Sequence, residues 1–215
     1  MNERAGTTNN NEDLFVVRKL SYGRGDTVLF SDLSFDLSSG QLLEVVGRNG
    51  SGKTTLLRIA CGFIEPDAGE ILWEGRNIHT YSGEYMRDVS YVGHMNGIKL
   101  GLSPIENLTV DHALSARSGD ISFTEVLERF GLARYRDVPA QKLSSGQRRR
   151  LALARLPVSG TRLWLLDEPY NSLDEEGKKL MGELLIEHLD SGGSVIMASH
   201  DFTPINNVSV KRLSL

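Results

Sequence analysis

Short apolar runs alternate along this chain with longer mixed segments. Gln41–Val46 (QLLEVV), Leu163–Leu166 (LWLL) and Ser194–Ala198 (SVIMA) are too short for helices, and Gly40 and Gly47 bound the first. That is the pattern of strands buried on both faces. Leu14–Leu20 (LFVVRKL) and Thr27–Leu37 (TVLFSDLSFDL) alternate only partly and flank the turn-forming YGRGD, which predicts a pair of strands. Glu70–Glu74, Val89–Val92 and Val210–Leu215 read as further strands. A helix is predicted from Lys53 to about Cys61, with Gly62 at its end. Another is predicted over Glu175–Leu189, where Leu180, Leu184 and His188 form one stripe with Met181 and Leu185 beside it. Between His94 and Arg150 the texture is polar and helical, broken at Gly101, Pro104, Gly131 and Pro139. Strands alternating with helices predict an α/β fold with a mainly parallel sheet.

Length and composition narrow the class. A chain of 215 residues is one domain, or one domain with a lobe, and can bury a sizeable core. A net charge of -4 gives no general attraction to nucleic acid or anionic lipid. The one cysteine, Cys61, excludes an internal disulfide and suits a reducing compartment. No apolar run approaches the roughly 20 residues of a bilayer-spanning helix. The opening MNERAGTTNNNEDL is polar, lacks the apolar stretch of a signal peptide, and reads as a flexible tail over residues 1–13. Work at a membrane would therefore need a partner to hold the chain there.

Gly47-Arg48-Asn49-Gly50-Ser51-Gly52-Lys53-Thr54 follows an apolar strand and opens a helix. Glycine, four residues, then Gly-Lys-Thr is the phosphate-binding loop pattern. Glycines let backbone N–H groups close on phosphate oxygens, and the helix points its positive end at them. Lys53 supplies a cation for the β- and γ-phosphates, and Thr54 a hydroxyl for Mg²⁺.

Leu163-Trp164-Leu165-Leu166-Asp167-Glu168 is an apolar strand ending in two carboxylates, with Pro169 stopping it. Alone it is equally a charged turn at a strand end. Beside a phosphate loop, Asp167 is placed to hold Mg²⁺ with Thr54, and Glu168 to act as general base on the attacking water.

Leu143-Ser144-Ser145-Gly146-Gln147 precedes a helix predicted to run to about Leu156. By itself it is a helix N-terminus, and Ser145 or Gly146 suits the N-cap. In the order phosphate loop, LSSGQ, apolar-Asp-Glu, the chain from about Leu14 to its end resembles the ABC ATPase family. The resemblance implies a P-loop NTPase core with an N-terminal antiparallel β-subdomain, over residues 14–93 and 153–215, and an inserted helical subdomain over 94–152. It implies that Tyr22 stacks on adenine, although a surface tyrosine at a strand end is the alternative. It implies that Thr55 joins the P-loop residues in holding ATP, and that His200 holds the γ-phosphate. Two copies are expected head to tail, with Ser144, Ser145, Gly146 and Gln147 of one covering ATP on the other. Asp174 would contact the opposite copy, cap the next helix, or do both.

One position departs from the family. The strand Val89–Val92 leads into Gly93-His94, where most ABC ATPases have glutamine. Imidazole still bonds a water or a metal, and it makes a pH-sensitive turnover an expectation at His94. Tyr91-Val92-Gly93-His94, Gly97-Ile98-Lys99, Leu102–Leu108, the run Arg148–Arg150 and Tyr170 together resemble ATPase subunits of cytochrome c maturation, described as haem exporters. That resemblance implies integral membrane partners and a peripheral place on the cytoplasmic face of a bacterial inner membrane. It implies haem export or release of a haem-loaded chaperone, and no C-terminal regulatory domain after His200. No haem site and no nucleic-acid partner are expected, and Arg148–Arg150 reads as one helical turn near an interface. The residues leave open another ABC exporter, for a drug, lipid or polysaccharide, because the ATPase chemistry is shared. A soluble ABC protein acting on DNA or ribosomes fits less well, with one cassette and no long coiled-coil insertion. A P-loop kinase has no use for LSSGQ.

Overall fold

The structure, a computed structural model, describes residues 13–114, 121–199, 208 and 210–215. The expected tail, apart from Asp13, and His200 lie outside the described residues. Strands β1 (Asp13–Arg24), β2 (Thr27–Ser38), β4 (Ala68–Trp73) and β5 (Arg76–Asn77) form an antiparallel sheet in the order β2-β1-β4-β5. Strands β3 (Leu42–Val46), β6 (Val89–Val92), β7 (Leu163–Asp167), β8 (Ser194–Ser199) and β9 (Val210–Ser214) form a parallel sheet in the order β6-β7-β8-β3-β9. The expected α/β architecture, with its antiparallel N-terminal sheet, is present.

The apolar runs become the middle of the parallel sheet because each side chain is needed on one face or the other. Successive strand residues point to opposite faces. Leu43, Val45, Leu163, Leu165, Ile196 and Ala198 pack with helix α1 (Lys53–Ala60) and with residues of the antiparallel sheet such as Phe15, Val17 and Ile71. Leu42, Trp164, Leu166, Val195 and Met197 face the other way, against helices α5 (Ser145–Ser159) and α6 (Glu175–Asp190). Both clusters are buried, so the sheet is fixed in register on two sides.

Helix α2 (Ser82–Asp88) and the short β5 lack a clear apolar period, and the sequence pattern did not separate them from their surroundings. Helices α3 (Pro104–Leu114) and α4 (Phe123–Arg129) occupy the polar middle of the chain. Salt bridges fasten them to the helices behind. Arg155 on α5 pairs with Asp111 on α3, and Arg129 on α4 pairs with Glu187 on α6 at 2.6 Å. Buried Asn107 donates to the carbonyls of Lys99, Leu102 and Ser103 and so pins the loop before α3.

Helix α5 runs past the expected end at Leu156, through Pro157, to Ser159. Proline removes one helical hydrogen bond, but it stands in the last turn, where little helix follows. Leu156 and Val158 are buried on either side of it, and their packing holds that turn until Gly160 closes it at φ 58°. Leu165→Ala, at a side chain 0% exposed, should cost about 2–5 kcal/mol in urea denaturation. Leu114→Ala, at a side chain 75% exposed, should stay within about 0.5 kcal/mol.

Candidate functional site

The register of the parallel sheet brings four strand ends to one level. Val46 lies opposite Ser199, Asp167 opposite Ala198, and Val92 opposite Leu166. Ligands of open α/β sheets gather outside such carboxyl ends. The turn from β3 into α1 carries the phosphate loop. A Cβ at Gly47 would lie 2.5 Å from Ser51 Oγ, and Gly52 stands at φ 104° as the N-cap of α1. Side chains are thus excluded at both ends of the loop, which leaves its backbone free to wrap a ligand. Lys53 is buried and donates from Nζ to the carbonyls of Gly47 at 2.7 Å and Arg48 at 3.2 Å. Buried Ser51 Oγ has no hydrogen-bond partner among the described residues. An orphaned hydroxyl, a folded-back ammonium and a helix N-terminus together fit phosphate oxygens. Arg48, Asn49 and Gly50 are exposed at the loop's rim, and Thr55 is half-buried in the first turn of α1.

Thr54 follows Lys53, and its Oγ1 donates to Asp167 Oδ2 at 2.8 Å. Asp167 ends β7 and is 2% exposed. Burial pushes its carboxyl above the ordinary value, Glu168 adds to the rise, and Thr54, His94 and Arg58 oppose it. A hydroxyl and a carboxylate in contact at a phosphate loop fit a hard divalent cation, which takes oxygen ligands. Glu168 turns away from the strand at φ 51°, and the Asn171 amide donates to its carboxylate. His94 is exposed in the loop after β6, close enough to act electrostatically on Asp167. Tyr22 is half-buried on β1, its ring 6.3 Å from that of Phe30, and Phe30 in turn lies against Gly52.

The 144–147 group sits elsewhere. Ser144, not Ser145 or Gly146, is the N-cap of α5. Its Oγ accepts from Gln147 N at 3.2 Å and its N donates to Gln147 Oε1 at 2.9 Å. Reciprocal bonding suits Ser144 because glutamine lies three residues on, a spacing Ser145 and Gly146 lack. Ser145 is left exposed. Ser144, Gly146 and Gln147 line a cavity of about 400 Å³ with Arg150, Ser172 and Asp174, and none of residues 47–55 lines it. Asp174 caps α6 through Gly177 N at 2.9 Å and also pairs with Arg150 at 2.7 Å. The fold therefore joins Lys53, Thr54, Asp167 and His94 in one site and presents the serine-led helix at a second.

The sequence profile of the ABC transporter family matches residues 30–171. The chain belongs to that family. It is an ABC-type ATPase subunit, and it binds ATP. Curated relatives named cytochrome c biogenesis ATP-binding export protein CcmA are similar over most of its length. That of Nitrosospira multiformis is 45% identical, over 89% of this chain and 94% of its own. That of Methylococcus capsulatus is 47% identical, over 82% and 86%, and that of Escherichia coli K12 40% identical, over 94% and 96%. Among solved structures, an ATP-binding subunit of an ABC transporter superposes with a TM-score of 0.81 at 23% identity, covering 87% of this chain and 79% of that one. CbiO1 of Clostridium perfringens, part of the complex cbiONQ, superposes with a TM-score of 0.71 at 26% identity, covering 88% and 80%.

Within this ABC ATPase, three buried polar residues outside the motifs lie beside the site. Arg149 belongs to the basic turn expected near an interface, yet its guanidinium is buried against the turns that carry His94 and Glu168. The signal was helical spacing, since Arg149 shares a face with Ala152, Leu153 and Leu156, all buried. Ser199 Oγ donates at 2.8 Å to Glu44, a buried carboxylate in the middle of β3, and so ties the end of β8 to the strand below the phosphate loop. A lone glutamate in an apolar run was the available sign.

The Asp167 shift makes a prediction about nucleotide-free stability. A carboxyl whose folded pKa is raised holds more protons folded than unfolded, so its contribution to stability falls as pH rises through the range just above the ordinary carboxylate value. Asp167→Asn keeps an acceptor for Thr54 and removes that loss. Thermal melts between about pH 4 and pH 7 should show the variant gaining on the wild type as pH rises, and a constant difference would contradict the burial argument.

Proposed function

We propose that this ATPase powers the membrane step of cytochrome c biogenesis, as haem export or as release of a haem-loaded chaperone. The observation that carries the catalytic part is the contact of Thr54 with Asp167, which joins the phosphate loop to the acidic strand. The transport step rests on similarity to the cytochrome c biogenesis proteins. Haem is handled by integral membrane subunits, which hold this chain at the cytoplasmic face of a bacterial inner membrane. Among the described residues no helix is long and apolar enough to cross a membrane.

Residues 14–93 and 153–215 form the nucleotide-binding core, and 94–152 a helical subdomain that carries the approach to the serine-led helix. Tyr22 stacks on adenine. Backbone N–H groups of Gly47 to Thr55 and the Lys53 ammonium bind the phosphates. Thr54 and Asp167 hold Mg²⁺, which when bound neutralises charge on the β- and γ-phosphates. Glu168 takes the proton of the attacking water, His94 orients that water, and His200 contacts the γ-phosphate. Ser144, Ser145, Gly146 and Gln147 of a second copy close the site head to tail, with Asp174 at the seam between copies. Their exposed helix N-terminus supplies donors and a positive dipole end to ATP held by the other copy.

Glu168→Gln should lower kcat by about 10²–10⁴-fold, keep ATP binding, and trap an ATP-dependent dimer in size-exclusion chromatography. Loss of ATP binding in this variant would contradict its role as base. Lys53→Ala should weaken ATP binding at least about tenfold, because a charge-assisted contact of about 1.5–3 kcal/mol is lost. Calorimetric titration showing an unchanged Kd would remove Lys53 from the phosphate site.

A further inference from the structure

Arg149 leaves α5 one helical turn beyond Ser145, and its side chain enters the body of the molecule, where the residue is 4% exposed. Nη1 donates to the Gly93 carbonyl at 2.9 Å and to Asn96 Oδ1 at 3.2 Å. Nη2 donates to the carbonyls of Glu168 at 2.7 Å and Asp167 at 3.2 Å, and Nε to that of Pro169 at 3.4 Å. All of these acceptors are amide carbonyl oxygens. A buried cation is costly unless its donors are filled, and a guanidinium has five N–H groups in a fixed plane to fill. Here they divide between two turns. One follows β6 and carries His94, and the other follows β7 and carries Glu168.

We infer that Arg149 is a positioning residue for ATP hydrolysis, setting the Glu168 turn and the His94 loop at a fixed separation and fastening both to the serine-led helix. The inference rests on the ATPase reading of the same site. Three features support it. Glu168 stands at φ 51°, a conformation that surroundings must hold for a residue with a Cβ, and the shortest Arg149 bond is to Glu168's own carbonyl. Gly93 lies under the Tyr91 side chain, since a Cβ there would lie 2.7 Å from the Tyr91 hydroxyl, so the carbonyl that Arg149 grips belongs to a turn packed on both sides. The planar fork reaches both turns at once, which the ammonium of lysine, a point donor, does only in part.

The test compares wild type, Arg149→Lys, Arg149→Gln, Glu168→Gln and the Arg149→Gln/Glu168→Gln double variant, each as the full chain assembled with its membrane subunits. Steady-state hydrolysis and ATP titration are read together. Arg149→Gln should lower kcat about tenfold to a hundredfold, the scale of an ångström-sized misplacement. KM and the ATP Kd should stay within about twofold, and Arg149→Lys should recover part of kcat. In the Glu168→Gln background, Arg149→Gln should remove no more than about a further twofold, because the base it positions is already absent. A role in folding alone would weaken ATP affinity together with kcat and multiply with Glu168→Gln. That outcome, or unchanged kcat in both single variants, overturns the inference. If Arg149→Gln does not fold, Arg149→Lys alone decides, by a lowered kcat at constant Kd or its absence. Wild type that hydrolyses no ATP counts against the ATPase reading, whereas active wild type with unaffected Arg149 variants sinks only the positioning role.

Discussion

The contact between Thr54 and Asp167 depends on two strands that never touch each other. β3 and β7 are separated by β8, and only the common level of their carboxyl ends puts the threonine hydroxyl 2.8 Å from the aspartate. A slip of one residue in the β7–β8 pairing would turn Asp167 to the opposite face, and a slip in the β3–β8 pairing would shift the phosphate loop away from it. Register in turn is held by leucine, isoleucine and valine side chains buried on both faces of the sheet. The geometry at the top of the sheet is therefore a consequence of apolar packing in its middle.

That arrangement is not the one stability alone would choose. Asp167, Lys53, Arg149 and Glu44 are all buried, and charges removed from water destabilise unless they are bonded. Each has found partners inside the fold. Lys53 bonds loop carbonyls, Arg149 bonds the carbonyls of two turns, and Glu44 accepts from Ser199 and pairs with Arg212 at 3.4 Å. Burial holds the Asp167 carboxyl above its ordinary pKa despite the bond from Thr54.

Much of this was legible in the amino-acid order. Strands on both sides of the phosphate loop and the acidic pair were readable because short apolar runs bounded by turn residues have few other uses. The phosphate loop, Asp167 and Glu168 were readable because their chemistry fixes residue type and spacing. Arg149 shows its burial only through its helical spacing with Ala152, Leu153 and Leu156, and a cation bonded only to carbonyls leaves no complementary acidic residue in the sequence to reveal what it holds. The N-cap at Ser144 was missed by one position, since three small residues in a row compete and only the distance to Gln147 decides. Helix α5 outran Pro157 because tertiary packing of Leu156 and Val158 outweighs a local breaker in a final turn. Long-range partners and fine boundaries are properties of the packed chain, and no local pattern contains them.

The central claim is that the phosphate loop and the acidic strand form one magnesium–nucleotide site. Calorimetric titration of ATP, with and without Mg²⁺, into wild type and Thr54→Val measures it directly. Tighter binding with Mg²⁺ in wild type, and loss of that increment in the variant while metal-free ATP binding is preserved, is the predicted result. A magnesium increment that survives in Thr54→Val would contradict the account.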